Sequence, residues 1–221
     1  MMNIYLIIPS YNEGKRLRDT LKRAKKYFPE TKTVVVDDGS LSKERLSPTC
    51  RATLLRHQLN LGKGAAMITG ADYAFSQGAE AVIFMDADSQ HHPKELPQFK
   101  KYLEQGYDFV FGSRERGYRT PLVRFLGNRL ASIYINLLFG IYVSDILSGY
   151  RALTKKAYNL VKWSSVRYGV ETEMVARLGQ HKEKLPWIEF PIDTIYVDKY
   201  KGVTIIDAIK ILAQSIWWKL S

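Results

Sequence analysis

Two carboxylates stand two residues apart in Asp86-Ala87-Asp88, directly after an apolar run, and that spacing can present both to one divalent cation. Mg²⁺ and Mn²⁺ are hard ions that take oxygen ligands and often complete their shell with substrate phosphates. Gln90 offers a third oxygen at the next i+2 position. The other reading is a solvated acidic turn ahead of a helix opening at Pro93, with Ser89 as its cap. Asp37-Asp38-Gly39-Ser40 is a second acidic turn. Buried beside the first, its carboxylates would repel unless hydrogen-bond donors or a metal met them. The hydroxyls or base of a nucleotide would serve. A plain type I turn, with Gly39 for backbone freedom, is the alternative. A third segment, Asn60-Leu61-Gly62-Lys63-Gly64, sets an ammonium group at a helix start, where backbone N–H groups suit an anion. It is not a Walker-type phosphate loop, because position 57 is His and Lys63 is followed by Gly64 rather than Ser or Thr.

These segments act together only if the fold gathers them. Residues 4–8, 33–36, 52–55, 81–85 and 109–111 are short apolar runs, the pattern of strands buried on both faces. Helical spacing lies between them. Leu17, Leu21, Ala24 and Phe28 share one face, and Leu96, Phe99 and Leu103 repeat that geometry after Pro93. The alternation predicts an α/β fold with a mainly parallel central sheet flanked by helices. Ligands bind such sheets beyond the carboxyl ends of the strands. Pro9-Ser10-Tyr11-Asn12-Glu13 follows the first strand, the Asp37 turn the second and the Asp86 turn the fourth, so acidic and turn-forming residues gather at one edge. Further on, residues 122–143 form a long apolar stretch broken by Arg124, Asn128 and Arg129. Residues 145–153 and 187–197 read as strands, and residues 203–220 as an apolar helix ending in Trp217-Trp218-Lys219.

In order, these motifs resemble the family 2 glycosyltransferases of GT-A fold. The match runs through Pro-Ser-Tyr-Asn-Glu (9–13), Val-Asp-Asp-Gly-Ser (36–40), Asn-Leu-Gly-Lys-Gly (60–64) and Met-Asp-Ala-Asp (85–88). It continues through Gly-Ser-Arg (112–114) and Asp-Ile-Leu-Ser-Gly-Tyr-Arg (145–151). The stretch from Asp86 to Pro93, with the later Ser-Gly-Tyr-Arg, looks most similar to the dolichyl-phosphate and polyprenyl-phosphate sugar synthases. That resemblance implies one glycosyltransferase domain, with a nucleotide-sugar half (1–115), an acceptor half (116–202) and a terminal apolar helix (203–221). It implies that Pro9, Tyr11, Glu13, Val36 and Asp38 hold the nucleoside, with Lys63, Ala87 and Lys199 also at the nucleotide sugar. Asp86, Asp88 and Gln90 are the implied ligands of Mg²⁺ or Mn²⁺ against the diphosphate. Arg114 is expected to face a donor or acceptor phosphate, and Asp145 and the 148–151 turn to lie near sugar and acceptor. Catalysis is thereby assigned to Asp145, Asp88 and Arg114.

The implied reaction is inverting transfer of a hexose, from a donor of the GDP-mannose or UDP-glucose type, to a polyprenyl or dolichyl phosphate. A metal neutralises the departing diphosphate as a Lewis acid. A lipid phosphate oxygen is already an anion at neutral pH, so Asp145 orients rather than deprotonates. A saccharide or small-molecule hydroxyl acceptor is the alternative; it needs a base, for which Asp145, Glu171 and Glu173 are candidates. From another class, a non-catalytic nucleotide-sugar binder is the second alternative. One departure stands out. The synthases commonly carry Arg, then Gly-x-Ser-Lys, before the last helix; here residues 199–205 read Lys-Tyr-Lys-Gly-Val-Thr-Ile. Lys199 takes the arginine's place, and the final lysine position falls on Ile205.

The net charge of +11 favours anionic partners, whether phosphates, nucleic acid or an acidic membrane. No recognised nucleic-acid motif accompanies it. Cys50 is the only cysteine, which predicts a reducing compartment. The apolar N-terminus meets Pro9 too early for a signal sequence, and no uncharged run reaches the ~20 residues that span a bilayer. The expectation is a cytoplasmic protein, peripheral at the cytoplasmic face of the membrane, with residues 203–220 lying in the headgroup region. His57, His91, His92 and His181 do not form a metal set.

Overall fold

Strands that are apolar along their whole length must be covered on both faces, and this one requirement organises the molecule. The computed structural model describes residues 2–29, 32–42, 46, 52–114, 122–167, 169–193 and 205–220. Five strands form where the apolar runs stand: β1 (Ile4–Ser10), β2 (Lys32–Asp37), β3 (Ala52–Arg56), β4 (Ala81–Phe84) and β5 (Phe109–Arg114). With β6 (Arg151–Thr154) and β7 (Trp187–Ile192) they make one sheet, in the order β3-β2-β1-β4-β6-β5-β7. Every pairing is parallel except those of β6, which runs antiparallel to both β4 and β5.

Helices cover both faces. Alternate residues of a strand point to opposite sides, so β1 feeds two cores. Ile4, Leu6 and Ile8 pack with Leu17 and Leu21 of α1 (Lys15–Tyr27) and Phe99 of α3 (Leu96–Glu104). Tyr5 and Ile7 belong to the other core, with Met67 of α2 (Lys63–Ser76), Phe139 of α4 (Leu122–Phe139) and Ala157 of α5 (Lys155–Val161). Met174 of α6 (Val170–His181) and Trp218 of α7 (Ile205–Leu220) complete it. No helix among the described residues is long and apolar enough to cross a membrane.

Two strand expectations need correction. Residues 145–150 are turns and irregular backbone rather than strand, and only residues 151–154 join the sheet. The cause is Arg151, whose wholly buried guanidinium donates to the carbonyls of Ile146 and Ser148 and curls the preceding segment around itself. At the other end β7 stops at Ile192, and residues 194–197 lie outside the described residues.

The antiparallel strand is what completes one edge. β1, β2, β4 and β5 bring their carboxyl ends to it, carrying the loops after Ser10, Asp37 and Phe84 and the end of β5 at Arg114. Because β6 runs the other way, it brings its amino end there, and with it residues 145–150. α6 reaches the same region through Glu171, 2.8 Å from Lys63 Nζ, and its neighbour Glu173 is fully buried. The Glu173 carboxylate accepts from the Ser164 and Ser165 amides at 2.9 and 2.8 Å and from Arg177 Nε at 2.7 Å. Burial alone would raise this carboxyl, but those donors hold it below its ordinary value. Glu173→Ala is therefore expected to cost about 3–5 kcal/mol, as when a buried pair loses one partner, read from denaturant unfolding at pH 7. A depressed carboxyl stabilises above its unfolded pKa of about 4.3 and ceases to do so as pH falls through its lower folded value. The gap between wild type and variant should accordingly close in acid; equal stability at pH 7 would refute the role.

Candidate active site

Each acidic turn is held by bonds within the chain. The Asp38 amide donates to the Ser10 carbonyl at 2.8 Å, and the Asn12 amide to Ser40 Oγ at 2.8 Å, so the loops after β1 and β2 are clipped together. Tyr11 is left exposed beside them. Asp37 accepts from the Ser40 amide at 2.9 Å and pairs with Arg56. Asp38 turns the other way: its oxygens accept from the amides of Leu61 (3.0 Å) and Gly62 (2.8 Å), and His57 Nδ1 lies 2.7 Å away. The anion that the Gly62 loop suits is, in this structure, the chain's own Asp38.

That arrangement sets the start of α2. Gly64 lies so close to the loop before α6 that a Cβ there would sit 2.0 Å from the Ser165 carbonyl oxygen, and Trp163 Nε1 donates to the Gly64 carbonyl at 3.0 Å. Lys63 is thereby aimed across the sheet edge. Its Nζ stands 2.6 Å from Asp86 Oδ1 and 2.8 Å from Glu171 Oε1. Burial opposes the charged amine, but the two carboxylates outweigh it and raise its pKa.

The Asp86 turn is braced from α1. Thr20 Oγ1 donates to the Ala87 carbonyl at 3.3 Å, and Ser89, at φ 64°, donates from Oγ to the Arg16 carbonyl at 3.3 Å. The two carboxylates differ in proton affinity. Burial would raise Asp86, yet Lys63 brings it down to about 2. Asp88 is pushed up to about 6 by burial and by the charge of Asp86, with Glu13 adding to the repulsion. His91, stacked on Tyr150 at 5.0 Å between ring centres, is pushed down to about 4 by burial and is neutral at pH 7.

The donor set fits a divalent cation. Among the described residues no group of three or more His, Cys, Asp or Glu side chains forms a closed cage. Mg²⁺ and Mn²⁺ do not need one, since they are commonly held by one or two carboxylates plus substrate phosphates and water. Two crowded carboxylates, one raised by the other, are relieved by an added positive charge.

Across the edge lies a second charged pair. Arg114 Nε and Nη2 reach the two oxygens of Asp145 at 2.6 and 2.8 Å, the Arg114 amide donates to Oδ2 at 3.1 Å, and Asn128 Nδ2 of α4 donates to Oδ1 at 3.1 Å. Burial opposes this carboxylate, but Arg114 keeps its pKa below the ordinary value. Glu189 of β7 holds the backbone beneath, accepting from the Ser144 and Asp145 amides at 3.0 and 3.1 Å.

The edge thus brings together Glu13, Lys63, Asp86, Asp88, Arg114 and Asp145, each of which feels the charge of at least one other. Gln90 is close by, its amide donating to Asp88 Oδ1 at 3.0 Å. Pro9 is half-buried in β1, while Val36 and Ala87 are buried, which leaves their backbone rather than their side chains for a ligand. Lys199 and residues 200–204 lie outside the described residues. Of the alternative bases, Glu173 is enclosed by its own donors, whereas Glu171 stands at the edge beside Lys63. Asn128 and Glu189 carry no motif. A polar residue amid the apolar residues of α4, and a carboxylate inside an apolar strand, were their only signals.

A family model described as Glycosyl transferase family 2 matches residues 5–160. The UDP-N-acetylglucosamine–dolichyl-phosphate N-acetylglucosaminyltransferase of Methanococcus voltae is 29% identical, over 98% of this chain and 96% of the relative. The undecaprenyl-phosphate mannosyltransferase of Micrococcus luteus is 31% identical, over 84% of this chain and 82% of the relative. Among solved structures, glucosyl-3-phosphoglycerate synthase from Mycobacterium tuberculosis in complex with Mn²⁺, UDP-glucose and phosphoglyceric acid aligns with a TM-score of 0.74 at 16% identity. That alignment covers 99% of this chain and 80% of the other, and the likeness is one of fold. The architecture is the GT-A α/β fold that the motifs imply.

Proposed function

Because the chain belongs to glycosyl transferase family 2, we propose that it moves a hexose from a nucleoside diphosphate sugar to a polyprenyl or dolichyl phosphate at a membrane surface. The observation that carries this reading is the gathering of Asp86, Asp88 and Lys63 at the same edge as the Arg114–Asp145 pair. The polyprenyl-phosphate activities named for two relatives support the acceptor class.

Asp86 and Asp88, with Gln90 beside them, would hold Mg²⁺ or Mn²⁺. Such an ion supplies Lewis-acid stabilisation of the departing diphosphate. Tyr11, exposed at the clipped loops, would offer a ring face to a base, with Glu13 and the backbone of Pro9 and Val36 as its further contacts. Lys63, now shared by Asp86 and Glu171, is the ammonium within reach of a diphosphate. Arg114 presents its charge toward an acceptor phosphate while Asp145, itself held by Asn128, fixes its plane. Asp145 orients and takes no proton, since both its oxygens already accept from Arg114 and Asn128. A phosphate acceptor needs no base, so direct displacement at the anomeric carbon inverts it.

Glu171 favours one second reading. It is a carboxylate at the edge that could take a proton from a saccharide hydroxyl. Incubation with UDP-glucose, GDP-mannose and UDP-N-acetylglucosamine, each with Mn²⁺ and either a short polyprenyl phosphate or a saccharide, separates the two by product mass. A glycosylated lipid phosphate from one donor is the expected result. A glycosylated saccharide alone would replace the lipid reading, and no product from any pair would remove the transferase reading.

A further inference from the structure

α4 buries one side and carries an apolar stripe on the opposite one. Asn128, Ser132, Ile135 and Phe139 face inward and are buried. Leu126, Leu130, Ile133 and Leu137 recur at i, i+4, i+7 and i+11 on the outer side, where Leu137 is 78% exposed. α7 repeats the design. Ile211, Ser215 and Trp218 are buried, while Leu212, Ile216 and Trp217 point outward, Trp217 being 71% exposed. The exposed residues Lys210 and Lys219 fall along the two margins of that outer stripe. The helices touch: Tyr134 OH donates to the Leu212 carbonyl at 3.3 Å, and Ser215 Oγ to Tyr134 OH at 3.3 Å. Solvated helices carry polar residues on the outer face, and isolated exposed apolar side chains need no explanation, but stripes on two touching helices do.

We infer that the α4–α7 face docks on an anionic lipid bilayer, its leucines, Ile216 and Trp217 entering the headgroup region. Charge complementarity selects this occupant. Among the described side chains α4 contributes the exposed Arg129 and no acidic residue, α7 contributes Lys210 and Lys219 and no acidic residue, and the chain carries +11 overall. A cleft of about 450 Å³ beside α7 adds Arg167 and Lys210 against the walls of Trp217 and Trp218. Lysines at the margins of an apolar helical face, with tryptophan at its end, match the headgroup boundary. A second copy of the chain would instead set these cations against one another. The inference rests on the lipid-acceptor reading and deepens it: on its inner side α4 holds Asp145 through Asn128, so the helix on the lipid also shapes the site.

The test is co-sedimentation of the full chain with vesicles of phosphatidylcholine, alone or with phosphatidylglycerol, containing no polyprenyl phosphate. Strong binding to the anionic vesicles and weak binding to the neutral ones is expected, with a blue shift of tryptophan emission. L130E/L137E and I216E/W217E should each weaken it at least about tenfold while leaving circular dichroism and nucleotide binding unchanged. No binding to anionic vesicles, or binding equal in wild type and both variants, would overturn the inference. So would a concentration-dependent dimer, in the absence of lipid, that the same variants dissolve. Transfer to a short, detergent-dispersed polyprenyl phosphate is measured in parallel. If it persists while vesicle binding is absent, the surface is wrong and the acceptor reading stands; if vesicle binding stands and transfer is absent, the acceptor reading fails.

Discussion

Asp88→Asn should abolish Mn²⁺-dependent donor binding and lower transfer by roughly 10²–10³-fold, the effect of removing one preorganised charge partner from a reacting centre. The substitution keeps the shape and an oxygen able to accept from the Gln90 amide, as Asp88 Oδ1 now does at 3.0 Å. It removes the charge that crowds Asp86. Thermal stability should therefore hold or rise slightly, while calorimetric titration of UDP-glucose or GDP-mannose shows binding that no longer responds to EDTA. The combination is diagnostic. Undiminished metal-dependent binding in the variant would remove Asp88 from the cation site and with it the assigned role of the Asp86 turn.

Gly149→Ala should lower transfer by about 10²-fold, the scale of a misplacement of about 1 Å at a reacting centre, with almost no change in melting temperature. A Cβ at position 149 would stand 2.5 Å from Asp86 Oδ2 and 2.6 Å from Lys63 Nζ. Both neighbours are ends of flexible side chains, which move at little cost to the fold but not without displacing the carboxylate and ammonium. Gly64→Ala is the control, because its Cβ meets a backbone carbonyl that has nowhere to go. It should lose stability and activity together. If Gly149→Ala melts early, or melts normally and transfers at the wild-type rate, the proximity has no functional meaning.

The first five strands were legible because a buried parallel strand leaves an unbroken apolar run, as in Val34-Val35-Val36 and Ala81-Val82-Ile83-Phe84. The edge that collects Asp37, Asp86 and Glu13 follows from that pattern together with chain direction. The strand pattern reaches back to residue 145, because Ile146, Leu147 and Tyr150 look like strand residues, yet β6 begins only at Arg151. What prevents the longer strand is a buried arginine, whose donors must find carbonyls wherever the chain can supply them. Asp38 shows the other limit. An acidic turn has the same composition whether it faces a nucleotide or the chain's own amides, and only the fold reveals that Leu61 and Gly62 meet it. Glu189 and Asn128 act by position alone, which no spacing rule could disclose.

The reversed central strand also dictates an order of assembly. Among the described residues β5 pairs only with β6 and β7, so when Arg114 leaves the ribosome neither of those partners has yet been made. Synthesis at about 5–20 residues per second leaves it waiting seconds for residues 151–154, and longer for residues 187–192. The three strands nearest the amino terminus close on β4 early, because all their pairings lie within residues 4–84. The nascent chain thus carries a finished half-sheet with an open edge at β4 until β6 arrives, and a chain stopped before residue 151 would present that edge to its neighbours.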